Sequence, residues 1–344
     1  MAKISRRDFL GVMSASMLLP SLARAAGTPE LTSFELLGVR DPQLGMHLAV
    51  AEYLGLFKAE GIDVKIRWQQ SSGDVLNIMG GGFPIGIGNP LTQIVLASRN
   101  VPTTIVCAFA DISGGHGVVL APKFQPKTPR ELEGKKCAFT EGVNNPLILS
   151  GLGTKYGFDH TKIRMINMEP SEGVVAASRG DVDMLLSWQP FLYRLQQLNG
   201  TLYATGNTIY FTQPPQKLSE ADKLLHQNST LVANPAWLSA HPNTTQALLR
   251  ALIKAEEVYF NDKSKAMEGL EAVLKIPAAP LKVMTDSSVY SLSISQPLAN
   301  TYNSISTWAL ANHRILKPAD INSGIYPDAL KAVAPARVTW GPKA

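Results

Sequence analysis

The feature that most constrains this chain is a regular alternation of short apolar runs with longer segments of helical period. Apolar runs such as Ser33 to Val39, Val64 to Trp68 and Pro84 to Gly88 are each followed by a segment that carries a helical pattern or a polar turn. This alternation is typical of βα units around mainly parallel sheets. We therefore predict an α/β fold in which each sheet is mainly parallel and flanked by helices.

The same pattern occurs twice along the chain. A first series ends with the run Thr103 to Ala110, and a second series begins after the turn Asp111 to Gly115. The segments 82–90 and 180–190 match in kind, since each has a Gly turn, an apolar strand, a polar or aromatic residue and then a Pro that opens a helix. Two α/β lobes are expected. The segment 235–311 is patterned as helix almost throughout, and it is expected to pack on the first lobe.

Residues 1–25 have the organisation of an export signal. A basic start is followed by an apolar stretch from Phe9 to Leu22, which is too short for a stable membrane span, and by the cleavage-type sequence Ala23-Arg24-Ala25. The segment Ser5 to Leu10 carries Arg6 and Arg7 and resembles the twin-arginine signal. The alternative is an ordinary secretory signal with two adjacent arginines. Either signal predicts a mature protein that begins near Ala26 and works in the periplasm.

The charge balance of the chain argues against a partner that is bound mainly through its negative charge. The net charge is +5, with 32 basic and 27 acidic residues, but the signal contains Lys3, Arg6, Arg7, Arg24 and Asp8. The remaining 28 basic and 26 acidic residues give no basis for binding nucleic acid or an anionic membrane. No later run of about 18 apolar residues predicts membrane insertion.

The two cysteines lie within apolar, strand-like runs. Cys107 belongs to Thr104–Ala110 and Cys137 to Lys136–Thr140. We expect two buried free thiols, with a disulfide between them as the alternative.

Polar turns that precede helices form the candidate ligand site. In open α/β sheets, ligands bind beyond the carboxyl ends of the strands, where helix N-termini present free N–H groups. For any single turn, ordinary loop chemistry and N-capping is the alternative. We predict that nine residues converge on one cleft: Asp41, Gln43, Ser71, Ser72, Asn89, Asn144, Asn145, Trp188 and Gln189.

Several segments in sequence order resemble one family. Ala49 to Val64 contains Gly55-Leu-Phe-Lys-Ala-Glu-Gly61, Pro129 to Lys136 reads Pro-Arg-Glu-Leu-Glu-Gly-Lys-Lys, and Gly180-Asp-Val-Asp183 leads to Trp188-Gln-Pro-Phe191. Over about residues 34–260 the chain is similar to substrate-binding proteins of the nitrate/sulfonate/taurine ABC-importer family.

This resemblance implies the two-lobed periplasmic-binding-protein fold (type II), with two hinge crossings and closure on a small ligand. We expect a first lobe of residues 31–108 plus 213–344 and a second of 112–210. It also implies delivery of the ligand to an ABC permease with its ATPase, and a monomer is expected.

No enzyme motif accompanies this pattern. The sequence lacks a G-x-S-x-G elbow and a Cys-x-x-Cys pair, and its six His are scattered. Asp181 and Asp183 are interpreted as solvated residues that open a strand. We predict no catalysis, no cofactor and no metal site. The rival class is a cleft enzyme of the same fold, like a desulfinase with a nucleophilic Cys, which the strand positions of Cys107 and Cys137 disfavour.

The ligand is predicted to be a small organic anion, sulfonate-like or carboxylate-like. Backbone N–H groups with the side chains of Ser71, Ser72, Asn144 and Asn145 would hold the anion, and Trp188 would form an apolar wall. Gln189 stands where sulfonate binders often have Asp, so a zwitterion such as taurine is disfavoured. The alternative is a neutral pyrimidine of the thiamine-precursor kind, which would suit Trp188 and the amides of Asn89 and Gln189.

Overall fold

A computed structural model describes residues 27–141 and 143–341. The predicted export signal at 1–25 lies outside the described residues. Within the part of the chain that is described, no helix is both long enough and apolar enough to cross a membrane.

The first sheet has six strands and a mixed pairing pattern. β1 pairs in parallel with β2 and β3, whereas β12 lies antiparallel between β3 and β4, and β13 pairs antiparallel with β4 at the edge. In spatial order the strands are β13 (Val289–Ser293), β4 (Thr104–Asp111), β12 (Asn228–Ala233), β3 (Ile85–Gly88), β1 (Ser33–Val39) and β2 (Asp63–Gln69).

The second sheet has seven strands. β6 pairs in parallel with β7 and β8, and β5 lies antiparallel between β8 and β9. The spatial order is β11 (Gln216–Lys217), β10 (Thr208–Ile209), β9 (Thr201–Thr205), β5 (His116–Leu120), β8 (Met184–Trp188), β6 (Lys136–Phe139) and β7 (Arg164–Asn167).

The two sheets share one topology. The series β2-β1-β3-β12-β4 corresponds to β7-β6-β8-β5-β9, with the antiparallel strand in the same place. β5 is the first strand of the second sheet in chain order, and β12 is the first strand after the chain returns to the first sheet. This confirms the predicted two-lobed α/β fold and adds a reversed strand to each mainly parallel set.

Helices flank both sheets. Those associated with the second sheet are α5 (Pro146–Tyr156), α6 (Pro170–Arg179) and α7 (Phe191–Gln197). The others are α1 (Pro42–Tyr53), α2 (Leu56–Ala59), α3 (Ser72–Gly80), α4 (Pro90–Ser98), α8 (Pro235–Ala240), α9 (Pro242–Asn261), α10 (Lys263–Leu274), α11 (Ala278–Asp286), α12 (Gln296–Ala311), α13 (Ile321–Gly324) and α14 (Asp328–Val333).

Separate apolar cores support the two sheets. One large cluster surrounds the first sheet, and two smaller clusters surround the second. The C-terminal helices pack on the first lobe as predicted, since α9 and α10 contact α1 and α12 contacts α4. Cys107 in β4 and Cys137 in β6 are buried and free, which confirms the thiol prediction.

Two helices predicted from the sequence differ from those in the structure. The sequence pattern predicts a helix from Pro280 to Tyr290, but α11 ends at Asp286 because the chain then turns into β13 at the sheet edge. The pattern also predicts one helix from Leu44 to Lys58. In the structure this helix is broken at Gly55, whose φ of 66° lies in the left-handed region that suits glycine.

The two crossings between the sheets are hydrogen-bonded to each other. Ile112 N–H donates to the Gln227 carbonyl at 2.9 Å, and Gln227 N–H donates to Ser113 Oγ at 3.1 Å. Lys223 Nζ donates to Asp111 Oδ2 at 2.6 Å. The lobe boundaries drawn at 108, 112, 210 and 213 stay a prediction, although β11 extends the second sheet to Lys217.

Candidate functional site

The carboxyl ends of the main strands form the edges that face the crossings. β1 to β4 run in one direction in the first sheet, and β6 to β9 do so in the second. The side chains that meet near these ends are here called the cleft cluster: Gln43, His116, Asn144, Asn145, Trp188, Gln189 and Gln227.

Gly115 contacts one residue from each lobe. The Gln43 side chain from α1 lies so close that a Cβ on Gly115 would be 2.7 Å from its Nε2. The Gly115 carbonyl also accepts from Gln189 N–H at 2.8 Å. Gln43 is 1% exposed, and its Oε1 is buried without a partner among the residues that the structure describes. A buried acceptor left unpaired is costly, so this atom is available to a ligand.

His116 and Asn145 form a pair within the second lobe. His116 Nδ1 and Asn145 Oδ1 are 2.9 Å apart. Asn145 is 1% exposed, and within residues 27–141 and 143–341 its buried Nδ2 has no partner. Burial lowers the pKa of His116 to about 4, against a smaller raising effect of the Asn145 hydrogen bond, so the imidazole is neutral at pH 7.

Aromatic rings border this pair. His116 opens β5 directly opposite Trp188 of β8, and their ring centroids are 6.4 Å apart. Phe191 stands edge-on to Trp188 at 5.8 Å. Trp188 is partly exposed. Its ring can therefore offer an apolar face to a bound molecule.

Two further amides are held in place by the surrounding chain. Asn144 Nδ2 donates to Gln227 Oε1 at 3.4 Å, which links the turn before α5 to the returning crossing. Gln189 Oε1 accepts from Tyr193 N–H at 3.1 Å. These bonds orient the amides before a ligand arrives.

Asp41 caps the first helix at the edge of the cleft. Its Oδ1 accepts from Gln43 N–H at 2.6 Å, and the residue is partly buried. Burial raises the pKa of Asp41 to about 7, although hydrogen bonds from Gln43 and Leu44 oppose the shift. The carboxyl can therefore be protonated or ionised near neutral pH.

The remaining predicted residues serve as helix caps. Ser71 is exposed and shares a capping box with Asp74 at the start of α3, where Ser72 is the first helical residue. Asn89 caps α4 through Thr92 N–H at 3.0 Å. A direct ligand role for Ser71, Ser72 and Asn89 stays a prediction, since their local bonds are those of ordinary N-caps.

Sequence reasoning missed His116 and Gln227. His116 was set aside as one of six scattered histidines, although it follows two glycines at the start of a strand. Gln227 precedes β12, a strand that the sequence pattern did not reveal. The register of β5 against β8 brings His116 to the cluster, and the returning crossing brings Gln227 to it.

The cysteines are poorly placed for nucleophilic chemistry. Burial raises the pKa of Cys137 to about 12 and that of Cys107 further still, so neither forms a thiolate readily. Among residues 27–141 and 143–341, no group of three His, Cys, Asp or Glu side chains could hold a metal ion.

Comparison with known sequences identifies a family and an enzyme relative. The family model described as NMT1/THI5 like matches residues 45–266, more than half of the chain. A 4-amino-5-hydroxymethyl-2-methylpyrimidine phosphate synthase of Aspergillus parasiticus is 24% identical over 250 residues, which is 71% of each protein.

Solved structures of similar fold include a binding protein and an enzyme. The periplasmic aliphatic sulphonate binding protein SsuA of Escherichia coli has a TM-score of 0.69 at 17% identity, over 86% of this chain and 92% of its own. The desulfurization enzyme DszB has a TM-score of 0.62 at 12% identity, over 88% and 99%. At these identities the likeness establishes the two-lobed fold.

Proposed function

The chain belongs to the NMT1/THI5-like family, and on that premise we propose that it is the periplasmic solute-binding component of an ABC importer. It binds a small molecule between its lobes and delivers it to a permease and its ATPase as a monomer. The likeness to SsuA in fold supports this role, and the predicted export signal supports its location.

One observation carries the proposal. The cleft cluster contains two buried amide atoms, Gln43 Oε1 in the first lobe and Asn145 Nδ2 in the second, that have no partner in the described part of the chain. Each would cost roughly 1–3 kcal/mol if nothing paired with it. A ligand held between the lobes would satisfy both atoms at once, and this would couple binding to closure.

The chemistry of the cluster favours an uncharged, flat heterocycle of the pyrimidine class. Five amides, a neutral imidazole and the Trp188 ring supply hydrogen bonds and a stacking surface but no positive charge. The relative that is named as a synthase of a pyrimidine phosphate supports the same class. This reverses the order of the two ligands that the sequence suggested.

A small organic anion is the second candidate. Helices α1, α3 and α4 begin at the cleft edge of the first sheet, and α5 begins beside it in the second lobe. Helix N-termini attract negative charge through their dipoles. SsuA, a sulphonate binder by name, shares the fold.

Catalysis is the rival activity, since one family relative is a synthase. The raised pKa values of both thiols disfavour a Cys nucleophile. Binding and turnover are distinguished by mass spectrometry of the ligand recovered after incubation. An unchanged ligand supports transport, whereas a new product refutes it.

Calorimetric titration of the mature protein tests the ligand. We expect micromolar binding of 4-amino-5-hydroxymethyl-2-methylpyrimidine and weaker binding of ethanesulfonate and taurine. Gln43→Ala and Asn145→Ala should each weaken binding at least about tenfold, the effect of about 1.4 kcal/mol. Gln296→Ala is the control, because this exposed amide lies outside the cleft cluster and donates to Asn300 on the same helix. Equal binding by all three variants would refute the cleft site.

A further inference from the structure

A series of hydrogen bonds, here called the crossing series, links the end of β4 to the turn before α5. Asp111 Oδ1 accepts from Ser113 N–H at 2.9 Å and from the Ser113 hydroxyl at 2.5 Å. Because this hydroxyl donates to a carboxylate, its oxygen can accept, and it does so from Gln227 N–H at 3.1 Å. Gln227 Oε1 in turn accepts from Asn144 Nδ2 at 3.4 Å. The crossing series therefore ends on the cleft cluster, one residue before Asn145.

Lys223 holds the carboxylate at the start of the crossing series. Its Nζ donates to Asp111 Oδ2 at 2.6 Å and also pairs with Glu220. The Lys223 side chain is 10% exposed, so this ion pair is screened less by water and salt than a pair on the open surface. Asp111 lies at the start of the outgoing crossing and Lys223 in the returning one. Their ion pair therefore also fixes the two crossings against each other.

Gln227 is held through its backbone as well as its side chain. Its N–H donates to the Ser113 hydroxyl oxygen, and its carbonyl accepts from Ile112 N–H at 2.9 Å. Ser113, Gln227 and Asn144 are all buried. Hydrogen bonds in such surroundings are stronger than in water. The Gln227 side chain thus reaches Asn144 from a fixed point of the backbone.

Resting on the proposed function, we propose that Asp111, Ser113 and Lys223 are positioning residues for ligand binding. Through Gln227 they hold the turn before α5, which carries the buried amide of Asn145. A preorganised amide binds a ligand more tightly because less conformational freedom is lost on binding. Loss of the crossing series should therefore weaken binding, although every side chain of the second lobe that meets the ligand is still present.

Hydrogen exchange of the ligand-free protein tests the positioning directly. Leu147 N–H donates to the Asn144 carbonyl at 3.1 Å, so its exchange rate reports how firmly the turn is held. Ser113→Ala removes the hydroxyl from the crossing series. The exchange rate of the Leu147 amide should rise about fivefold, the effect expected from the loss of one hydrogen bond.

Calorimetric titration measures the consequence for binding. 4-Amino-5-hydroxymethyl-2-methylpyrimidine and ethanesulfonate are titrated in parallel, because the turn is held in the same way for either ligand class. Ser113→Ala should weaken the binding of each compound that the wild type binds by about fivefold. Lys223→Met should act in the same direction, because Asp111 then loses the cation that holds it.

A double-mutant cycle separates positioning from general stability. Gln227→Ala removes the side-chain link to Asn144 but keeps the backbone N–H that donates to the Ser113 hydroxyl. In this background Ser113→Ala should still lower the melting temperature by a few degrees. It should add nothing to the loss of affinity or to the exchange of the Leu147 amide, because the link between them is already cut.

Ser306→Ala is the matched control. Ser306 lies buried in α12, and its hydroxyl oxygen accepts from Ala319 N–H at 2.9 Å, which is the same kind of bond outside the cleft cluster. This variant should lower the melting temperature by a similar amount. Its ligand affinity and the exchange rate of its Leu147 amide should stay at wild-type values.

The outcomes separate this inference from the proposed function. Unchanged Leu147 exchange in Ser113→Ala overturns the inference and leaves solute binding standing. An affinity loss that is equally large with and without the Gln227 side chain also overturns it. If the wild type binds neither compound while exchange rises as expected, the positioning stands and both ligand classes of the proposed function fall. Conversion of either compound to a product would refute the proposed function itself.

Discussion

Gln43 of the first lobe packs so closely against Gly115 of the crossing that a Cβ at this position would displace the Gln43 amide. An added Cβ would lie 2.7 Å from Gln43 Nε2 and 2.8 Å from Gln43 Oε1. The same glycine holds Gln189 of the second lobe through its carbonyl. Gly115 therefore contacts two members of the cleft cluster, Gln43 of the first lobe and Gln189 of the second.

Gly115→Ala should hold the lobes apart and weaken ligand binding. Real Cβ atoms essentially never come within 3.0 Å of another heavy atom, so either Gln43 or the crossing must move. We expect an affinity loss of at least about tenfold, about 1.4 kcal/mol. Calorimetry measures the loss, and small-angle scattering measures the larger radius of gyration.

Gly80→Ala is the matched control for this substitution. Gly80 is the last residue of α3, and its added Cβ would make an ordinary contact of 3.7 Å with Leu96 of α4. Affinity and dimensions should stay at wild-type values. If Gly115→Ala behaved like the control, the close approach would not govern closure.

The duplicated fold could be predicted because each βα unit carries its own local pattern. The strand from Ser33 to Val39 and the helix from Pro146 to Tyr156 are found where the sequence indicates them. The reversed strand β12 could not be predicted from such units, because it pairs with strands more than 100 residues earlier in the chain. The strand β13 could not be predicted for the same reason, since it pairs with β4.

The site was predictable in part. The polar turns at strand ends predict Gln43, Asn145 and Trp188 as site residues, and all three are members of the cleft cluster. The same rule gave Ser71 and Asn89, whose side chains cap their own helices. Local sequence does not distinguish a cap from a ligand residue, because both use small polar side chains before a helix. His116 emerged only from the register of β5 against β8.

A buried ion network ties the C-terminal segment to the first lobe. Glu256 of α9 is 4% exposed and accepts from Arg337 Nη1 and from Leu292 N–H, both at 2.5 Å, and it contacts His47 Nε2 at 3.0 Å. Despite the opposing effect of burial, the bonds to His47 and Arg337 lower the pKa of Glu256 to about 2. The ionised carboxylate thus stabilises the fold above pH 4.5, and this contribution is lost as the pH falls toward 2.

Arg337→Met should lower the free energy of unfolding by about 3 kcal/mol, the lower end for breaking a buried pair, because Arg337 is partly exposed. Urea unfolding at pH 7 measures the change. Adding Glu256→Gln should recover part of the loss, since no buried charge is then left unpaired. Arg314→Met, at an exposed position, should change the stability little. An equal effect of both arginine substitutions would contradict the network.

Asp41→Asn should alter the pH dependence of stability. The pKa of Asp41 rises from 3.8 to about 7 on folding, so between these values the folded protein holds a proton that the unfolded chain has released. The wild type should therefore lose stability from about pH 4 to 7, by up to about 1.4 kcal/mol per pH unit from this one group. The variant should lack this loss and still cap α1. Asp262→Asn, at an exposed cap, should keep the wild-type curve.

Export by the twin-arginine route stays a prediction from the sequence. Replacing both Arg6 and Arg7 with Lys should leave the precursor in the cytoplasm, because that route depends on the arginine pair. Cell fractionation with immunoblotting measures the distribution. The control is Lys3→Arg, which changes neither the arginine pair nor the net charge of the segment. This variant should be exported normally. Unchanged periplasmic yield of the double variant would favour the ordinary secretory signal.

Trp188 should report ligand binding directly. It is partly exposed, flanked by His116 and Phe191, and it is one of five tryptophans. A heterocycle stacked on its indole should quench its fluorescence, so Trp188→Phe should abolish most of the ligand-dependent change while an aromatic wall remains. Affinity by calorimetry should fall only a few-fold, because stacking on Phe retains part of the contact. Trp237→Phe removes an indole that packs on Phe34 and His241 and should leave the signal intact. A binding signal that persisted in Trp188→Phe and vanished in Trp237→Phe would place the ligand outside the cleft cluster.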